Sequence, residues 1–261
     1  MRSSIPFKAL VSIIMPNHNS DYFIRQAIES VKKQTYKNWE LIIVDDASTD
    51  YSRDVINEYL MDDSRIKLIC LQENVGPGEA RNIAMQAARG HYIAFLNSND
   101  VWAVDKLEKQ LEFMEAHNVA FSYMDYQFID EDNKPYESII EMPNQLTYYD
   151  LLRTSTAISC STVMIDKYKV GKIRMTTNRD IPKDFTHWLP ILKRGFKAKR
   201  LKGAFVYNRK NNYAMEKNTD QNTLRIWSLY RHVENLTIFE SAVCLVNYTK
   251  QEAKRNRSLK V

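Results

Sequence analysis

The chain has 261 residues, with 37 Lys and Arg against 32 Asp and Glu, for a formal net charge of +5. Hydrophobic residues make up 44% and charged residues 26%, a globular composition that excludes wholesale disorder, and six glycines and seven prolines exclude collagen-like chains. Its three cysteines (Cys70, Cys160 and Cys244) are too few for a disulfide framework, match no zinc-site spacing and fit a reducing compartment.

Strands and helices alternate four times within the first 115 residues. Apolar runs predict strands at 10–15, 41–44, 66–71 and 92–96. Apolar side chains at helical spacing follow each run and predict a helix after each strand. Asp50 is a predicted N-terminal cap of the second helix, and Gly90 ends the third. Runs this continuous predict strands buried on both faces, and therefore a parallel sheet with helices on either side.

The second half has a less regular pattern. Strands are predicted at 119–129, 159–165 and within 196–206, and helices at 147–153 and 184–193. An amphipathic helical pattern runs from 219 to 248, and a basic tail follows at 250–260. We find no internal repeat and no linker that would separate independent domains.

Polar clusters follow three of the predicted parallel strands, at 17–19, 45–50 and 97–100. In sheets of this kind, ligands bind beyond the carboxyl ends of the strands, so the clusters indicate a binding crevice. A dehydrogenase-type dinucleotide site and a P-loop are both excluded, because the chain has no Walker A motif. Its one Gly-x-Gly, at Gly76 and Gly78, follows the third strand and lacks the third glycine.

Four ordered segments, VSIIMPNHN, ELIIVDDASTD, ENVGPGEARNIA and YIAFLNSNDVW, resemble the inverting family 2 glycosyltransferases. The resemblance is dense over residues 10–115 and can be followed to about residue 213. It implies an α/β GT-A fold, a Rossmann-like and mostly parallel sheet flanked by helices. The expected division is a GT-A domain at 1–213, with a nucleotide-binding half (1–115) and an acceptor half (116–213), then a helical basic extension at 214–261.

The family uses a nucleotide-sugar donor, commonly a UDP-sugar, and builds bacterial surface polysaccharides such as lipopolysaccharide and capsule. Its first strand ends in a Pro-x-Tyr-Asn turn that approaches the nucleotide. The matching residues here are Pro16, Asn17, His18 and Asn19. His18 replaces the aromatic residue and still offers a ring to a base, whereas for Asn19 alone a capped loop is the favoured interpretation.

Asp45 and Asp46 match the family's acidic pair after the second strand. A carboxylate there accepts the imide N–H of uracil, which suits a uracil donor. Helix capping is the alternative, and we favour it for Asp50. For at least one of Asp45 and Asp46 we favour a role in binding the ligand, because two adjacent carboxylates bring no structural advantage.

Arg81 matches an arginine that supports the nucleotide loops or approaches a phosphate, and an internal ion pair is an equal alternative.

The fourth segment departs from the family. Relatives carry Asp-x-Asp-Asp, which holds a divalent metal (manganese or magnesium) and the ribose, whereas this chain has Asn97, Ser98, Asn99 and Asp100. Asp100 is therefore the predicted metal ligand, Asn97 and Asn99 are predicted to bind the donor, and the metal requirement is open.

Lys210 occupies the place of a metal-binding His, where an ammonium group can face the diphosphate. An ordinary exposed lysine is the alternative.

Inverting transfer needs a base for the acceptor hydroxyl. In the family this is the Asp of a Glu-Asp pair shortly before a helical Trp, and Asp184 before Trp188 matches it, with Lys183 in place of the Glu. Asp180 is the rival if the alignment slips, and simple helix capping by Asp184 is the structural alternative.

Charge is divided unevenly: residues 1–165 carry a net −9 and residues 166–261 a net +14. A basic tail after an amphipathic helix suits an anionic membrane surface, and the family's acceptors are often lipid-linked. No stretch approaches the length of a membrane span and no signal segment is evident, so we expect a cytoplasmic protein, or one peripheral on the inner face of the membrane. No nucleic-acid-binding module is present.

The leading hypothesis is therefore an inverting glycosyltransferase with a nucleotide-sugar donor and a saccharide or lipid-linked saccharide acceptor. A second hypothesis is a non-catalytic GT-A module that binds a nucleotide-sugar or glycan, or scaffolds a partner enzyme. The pair Asn97 and Asn99 favours the second hypothesis. The four acidic residues that stay in register favour the first; they are Asp45, Asp46, Asp100 and Asp184.

Overall fold

The computed structural model describes residues 9–135, 138–154, 158–177, 187–209 and 219–258, with side chains over 223–251 in the last range. Nine strands lie within these ranges. They are β1 (Val11–Asn17), β2 (Trp39–Asp45), β3 (Ile66–Cys70), β4 (Tyr92–Phe95), β5 (Val101–Trp102), β6 (Phe121–Ile129), β7 (Gln145–Leu146), β8 (Met164–Asp166) and β9 (Ala198–Arg209). Together they form one sheet in the order β3-β2-β1-β4-β8-β6-β9-β5, with β7 paired to β9.

Helices cover both faces of this sheet. They are α1 (Asp21–Lys32), α2 (Ser52–Asp62), α3 (Pro77–Ala87), α4 (Lys106–Ala116), α5 (Tyr148–Arg153), α6 (Lys167–Val170), α7 (Leu189–Lys193), α8 (Thr219–Ser228) and α9 (Ile238–Ser258). Local signals define several ends. Pro77 begins α3, and a reciprocal capping box between Thr147 and Asp150 begins α5.

The four strands predicted in the first half form the parallel part of the sheet. β1 lies between β2 and β4 and pairs with both in parallel, and β3 pairs in parallel with β2. Successive residues of β1 point to opposite sides: Ile14 packs in one core cluster, and Ile13 and Met15 pack in the other. Both faces are therefore buried, as the continuous apolar runs predicted.

The second half extends the same sheet. β8 pairs antiparallel with both β4 and β6, so β4 and β6 run in the same direction, and β9 is parallel to β6. The end of β9 at Arg209 therefore lies at the same edge of the sheet as the carboxyl ends of β1, β2 and β4. This arrangement brings a segment from late in the chain to the polar clusters of the first half.

The strand predicted at 159–165 is wrong over most of its length. Residues Cys160–Thr162 form a 3₁₀ turn, and the strand begins at Met164. Side chains take the carbonyls that a ladder would need: Trp102 Nε1 donates to the Ser161 carbonyl at 2.9 Å, and Gln110 Nε2 donates to the Thr162 carbonyl at 2.9 Å. Tertiary hydrogen bonds thus override the local β propensity.

The helical pattern predicted over 219–248 divides into two helices. A π-helical turn at Leu229–Val233 ends the first, and Asn235 adopts a left-handed conformation with φ of 56°. Thr237 and Glu240 then form a capping box, with Thr237 N–H donating to Glu240 Oε2 at 2.8 Å and Glu240 N–H donating to Thr237 Oγ1 at 3.2 Å. In the described part of the chain, no helix has the length and apolar character needed to cross a membrane.

Candidate functional site

The polar clusters at the ends of β1 and β2 lie side by side. Asn17 and Asp45 are register partners in the parallel pair, and Asn17 Nδ2 donates to Asp45 Oδ1 at 2.8 Å and to Ser48 Oγ at 3.2 Å. Pro16 is buried one residue earlier in β1, so the predicted turn begins only after Asn17. The sheet therefore joins two clusters that are separated by 28 residues in the chain.

His18 and Asn19 form the exposed part of the first turn. The His18 Nδ1–H donates to the Asp46 carbonyl at 2.7 Å, which fixes the ring over the second loop. Asn19 has a φ of 48°, and its Oδ1 accepts the Thr49 N–H at 2.8 Å. Asn19 thus links two loops, consistent with the interpretation of a capped loop, while the exposed His18 ring faces solvent.

Asp45 is fully buried and has three kinds of donor. Besides Asn17, its carboxylate accepts Arg53 Nε at 2.5 Å and the Ser48 N–H at 3.2 Å. Burial opposes ionisation, but the hydrogen bonds from Ser48, Arg53 and Asn17 outweigh it and hold the pKa of Asp45 below its usual value. Asp45 is therefore a charged anchor for the loop between β2 and α2.

Asp46 anchors a different segment. Its Oδ1 accepts the Val75 N–H at 2.7 Å, and its Oδ2 accepts the Gly76 N–H at 2.8 Å, just before α3. Each carboxylate of the acidic pair thus has structural partners of its own, which the sequence-based argument about adjacent carboxylates did not foresee. Asp50 likewise has a structural role at helix starts, because its carboxylate accepts the N–H groups of Ser52 and Asp21 at 3.0 and 2.9 Å.

Arg81 connects α3 to the end of β4. This arginine is only 5% exposed, and its NH2 donates to Asn97 Oδ1 at 2.7 Å, while its NH1 lies 3.4 Å from His187 Nε2. No carboxylate is among the partners of Arg81 in the described part of the chain, and its predicted role beside the nucleotide loops or a phosphate stays a prediction. Arg81 fixes the orientation of the Asn97 amide and joins it to the segment that precedes α7.

Asp100 lies at the centre of the third cluster. Its Oδ2 accepts Asn97 Nδ2 at 2.9 Å and Ser161 Oγ at 2.5 Å, and its Oδ1 accepts the Arg209 N–H at 3.0 Å. The residue is 2% exposed. Asn99, between Asn97 and Asp100 in the chain, is partly exposed.

The guanidinium group of Arg209 is held away from solvent. It donates to the Asp130 carbonyl, to Gln26 Oε1 and to Asn133 Oδ1, and it stacks 4.5 Å from the centre of the Phe23 ring. Burial lowers the pKa of Arg209 from its ordinary value. This side chain secures the end of β9 to α1 and therefore helps to keep the Arg209 N–H on Asp100.

The side chains of the run 97–100 do not form a suitable set of ligands for a tightly bound divalent metal. Mg²⁺ and Mn²⁺ favour several carboxylate oxygens, whereas the run 97–100 supplies one carboxylate and two amides, and both carboxylate oxygens already accept hydrogen bonds. Over the described residues, no group of three or more His, Cys, Asp or Glu side chains is placed to hold a metal ion.

Three predicted residues lie outside the described part of the chain. They are Asp184, its rival Asp180, and Lys210. Their roles stay predictions. The segment that carries the two aspartates is bracketed by described residues, Thr176 and His187, that both lie near Gly78 at the start of α3.

The sequence analysis missed two residues that hold the carboxylates of the polar clusters, Arg53 beside Asp45 and Ser161 beside Asp100. Arg53, in the first turn of α2, had a signal: a cation eight positions after Asp45, on the helix that follows the acidic loop. Ser161 had none, because its contact with Asp100 joins residues that are 61 positions apart in a segment predicted to be a plain strand.

The model for glycosyl transferase family 2 matches residues 12–175. A putative teichuronic acid biosynthesis glycosyltransferase, TuaG of Bacillus subtilis, is 40% identical over 249 residues, 95% of this chain and 98% of the relative. The Escherichia coli glucosyltransferase WfgD, named as UDP-Glc:α-D-GlcNAc-diphosphoundecaprenol β-1,3-glucosyltransferase, is 40% identical over 70% of each chain. The chain therefore belongs to the family 2 glycosyltransferases, and the predicted resemblance is confirmed.

Solved structures confirm the GT-A fold. The S. aureus protein TarS (residues 1–349), crystallised with UDP-GlcNAc, superposes with a TM-score of 0.69 at 18% identity, over 92% of this chain and 72% of that one. A mannosyltransferase from Pyrobaculum calidifontis, in complex with GDP-Man and Mn²⁺, superposes with a TM-score of 0.66 at 15% identity, over 92% and 70%. In open α/β sheets ligands bind beyond the carboxyl ends of the strands, and the polar clusters of this chain lie at that edge.

Proposed function

We propose that this chain is an inverting glycosyltransferase that moves a sugar from a UDP-sugar to a lipid-linked saccharide acceptor in bacterial surface polysaccharide synthesis. The observation that carries the proposal is the convergence of three polar loops from β1, β2 and β4 at one edge of the sheet. The relatives supply the substrate class: one is named for teichuronic acid biosynthesis and the other for transfer from UDP-Glc to a diphosphoundecaprenol-linked sugar.

Asp46 and His18 are the proposed contacts of the uracil base. A carboxylate has about four lone-pair positions; Asp45 uses three on Asn17, Ser48 and Arg53, whereas Asp46 uses two on backbone N–H groups. Asp46 thus keeps more capacity to accept the imide N–H of uracil. The exposed His18 ring, fixed by its bond to the Asp46 carbonyl, packs on the face of the base.

Asp184 is the proposed general base, which takes the proton of the acceptor hydroxyl as that hydroxyl attacks the anomeric carbon. The leaving nucleoside diphosphate departs from the opposite face, so configuration inverts. Lys210, which follows Arg209 in the sequence, is proposed to face the departing diphosphate with its ammonium group.

The variant Asp184→Asn tests the assignment. An amide cannot accept the proton, so we expect transfer to fall by roughly 10²- to 10⁴-fold, while the affinity for UDP measured by calorimetry stays within about twofold of the parent chain. Asp180→Asn is the matched control and is expected to keep most of the transfer activity. If Asp180→Asn is the inactive variant and Asp184→Asn retains turnover, the base is Asp180.

A non-catalytic donor-binding module is the second candidate. The observation that favours it is the run 97–100, in which two amides replace acidic residues and Asp100 is already hydrogen-bonded. Incubation with UDP-Glc, UDP-GlcNAc and related donors separates the two candidates: release of UDP supports the enzyme, whereas UDP binding without any turnover, with or without Mn²⁺, supports the module.

Contact with an anionic membrane surface is proposed for the C-terminal helices. At the start of α9, Ile238 and Phe239 are 67% and 78% exposed, and the chain from 250 to 260 is rich in Lys and Arg. A surface of this kind brings the enzyme to a lipid-linked acceptor at the inner face of the cytoplasmic membrane. We expect the protein to sediment with anionic vesicles and not with neutral ones. Absence of sedimentation with both kinds of vesicle would contradict the proposal.

A further inference from the structure

The Asp100 carboxylate is satisfied by protein donors on both oxygens. Asn97 Nδ2 and Ser161 Oγ donate to Oδ2 at 2.9 and 2.5 Å, and the Arg209 N–H donates to Oδ1 at 3.0 Å. These donors come from three separate segments of the chain, and they enclose a side chain that is 2% exposed. A cation that bound this carboxylate would compete with these donors for its two oxygens.

The Asn97 side chain both accepts and donates a hydrogen bond, which an amide can do and a carboxylate cannot. Its Oδ1 accepts from Arg81 NH2 at 2.7 Å, so its Nδ2 is the atom that faces Asp100 Oδ2 at 2.9 Å. An aspartate at position 97 would put a second carboxylate against Asp100, and two like charges at that distance require a proton or a cation between them. The N–H of Asn97 fills the same place without a charge.

Asn99 removes a further negative charge from the run. Its side chain is neutral and partly exposed, so the run 97–100 carries a single carboxylate. A run with three carboxylates would repel a diphosphate unless a cation lay between them. The Arg81 guanidinium is buried beside the same cluster and supplies a positive charge from the protein. The local electrostatics therefore tolerate an anionic ligand without added metal.

We infer that this chain binds its nucleotide donor independently of a divalent cation, and that Asn97 and Asn99 determine this property. A hydrogen-bonded cluster of Arg81, Asn97, Asp100 and Ser161 takes the place of cation-bridged carboxylates. The part of the inference that concerns donor binding rests on the proposed function, whereas the part that concerns cation affinity rests on the cluster alone.

Titration of Mn²⁺ into the full chain, followed by calorimetry, tests the cation affinity. We compare the parent chain with Asn99→Asp and with the double variant Asn97→Asp/Asn99→Asp. Because each added carboxylate raises cation affinity, the double variant is expected to bind Mn²⁺ at least about tenfold more tightly than the parent chain. Asn99→Asp alters a partly exposed side chain and keeps the test valid if the double variant does not fold.

Ser161→Ala is the matched control. It removes one donor from the same Asp100 oxygen without adding charge, and we expect no gain of Mn²⁺ affinity from it. A gain in Ser161→Ala equal to that of the double variant would overturn the role of Asn97 and Asn99. Equal Mn²⁺ affinity in the parent chain and both aspartate variants would overturn the inference itself.

A second titration, with UDP in excess EDTA and then in Mn²⁺, tests donor binding. The parent chain is expected to show affinities within about twofold of each other, and the double variant is expected to gain at least about tenfold from Mn²⁺. Loss of UDP binding by the parent chain in EDTA, restored by Mn²⁺, would overturn the inference. If the parent chain binds no UDP in either buffer, the proposed function is contradicted, and the Mn²⁺ titration still decides the cation affinity.

Discussion

Glu40 shows how one buried charge is stabilised at the edge of the sheet opposite the site. Its Oε1 accepts Ser12 Oγ at 2.7 Å and the Arg89 N–H at 2.8 Å, and its Oε2 accepts Lys67 Nζ at 2.8 Å. Burial opposes its ionisation, but the bonds from Lys67, Arg89 and Ser12 outweigh that effect and lower the pKa of Glu40 to about 2. The charged form is therefore the one that the fold stabilises.

This pKa predicts a pH-dependent loss of stability. Because the folded pKa lies below the ordinary value of 4.5, Glu40 stabilises the fold fully above pH 4.5, and this contribution falls as pH drops towards 2. The stability difference between the parent chain and Glu40→Gln should therefore be largest near pH 7 and should shrink below pH 4.5, by up to about 3 kcal/mol as the pH falls to 2 and below. Urea unfolding at several pH values measures it.

Glu58→Gln is the control for this experiment. Glu58 pairs with Arg25 at 2.8 Å, but its side chain is 57% exposed, so its loss should cost less than about 1 kcal/mol at any pH. A difference between the parent chain and Glu40→Gln that does not change from pH 7 to pH 3 would contradict the role of the Glu40 charge.

Among the helices, α3 joins the first half of the chain to the second half. Its Asn82 exchanges two hydrogen bonds with the backbone of Met175, at 3.1 and 2.8 Å, and its Arg81 reaches His187. Gly78 allows this contact, because a Cβ at that position would lie 2.4 Å from the Thr176 carbonyl oxygen. The start of α3 thus packs against Met175 and Thr176 in the second half of the chain.

The variant Gly78→Ala should therefore destabilise the protein. Helix propensity alone would make alanine the more stable residue by about 1 kcal/mol, but the clash with backbone should produce a net loss of about 1–3 kcal/mol. Thermal and urea unfolding measure the change. The control Gly195→Ala has no atom near its Cβ but a φ of 91°, and it should lose about 1–2 kcal/mol from backbone strain. A more stable Gly78→Ala would contradict the close contact.

At the scale of the whole molecule, the two predicted halves share one sheet and one core. β8 and β6 continue the sheet from β4, and the Trp188 ring packs 5.3 Å from Phe95 in β4 and 5.4 Å from Phe121 in β6. The C-terminal helices join the same core cluster through residues such as Tyr230. Contacts this continuous predict cooperative unfolding rather than independent domains.

Variants that keep a single tryptophan test this prediction. One keeps Trp39 in the first half, and the other keeps Trp188 in the second, with the remaining tryptophans replaced by phenylalanine. In each variant, the fluorescence midpoint in urea should coincide with the midpoint of helix loss measured by circular dichroism. Separate midpoints in either variant would show that the two halves unfold independently.

Local signals in the chain are enough to predict the parallel half of the sheet and the edge at which its polar clusters lie. Continuous apolar runs and local caps set β1 to β4, and polar residues at their ends predicted the crevice, because these signals lie within a few residues of each other. The capping box of Thr237 and Glu240 was also present locally, although the amphipathic pattern concealed it.

The hydrogen-bond partners of the residues in the polar clusters, in contrast, could not be predicted from the chain and follow from its three-dimensional fold. Asp100 receives hydrogen bonds from Ser161 and Arg209, 61 and 109 positions away, and Asn97 is oriented by Arg81. The 3₁₀ turn that carries Ser161 forms because Trp102 and Gln110 take its carbonyls. Such long-range hydrogen bonds leave no periodic trace in the chain, since they depend on how strands distant in sequence are ordered within one sheet.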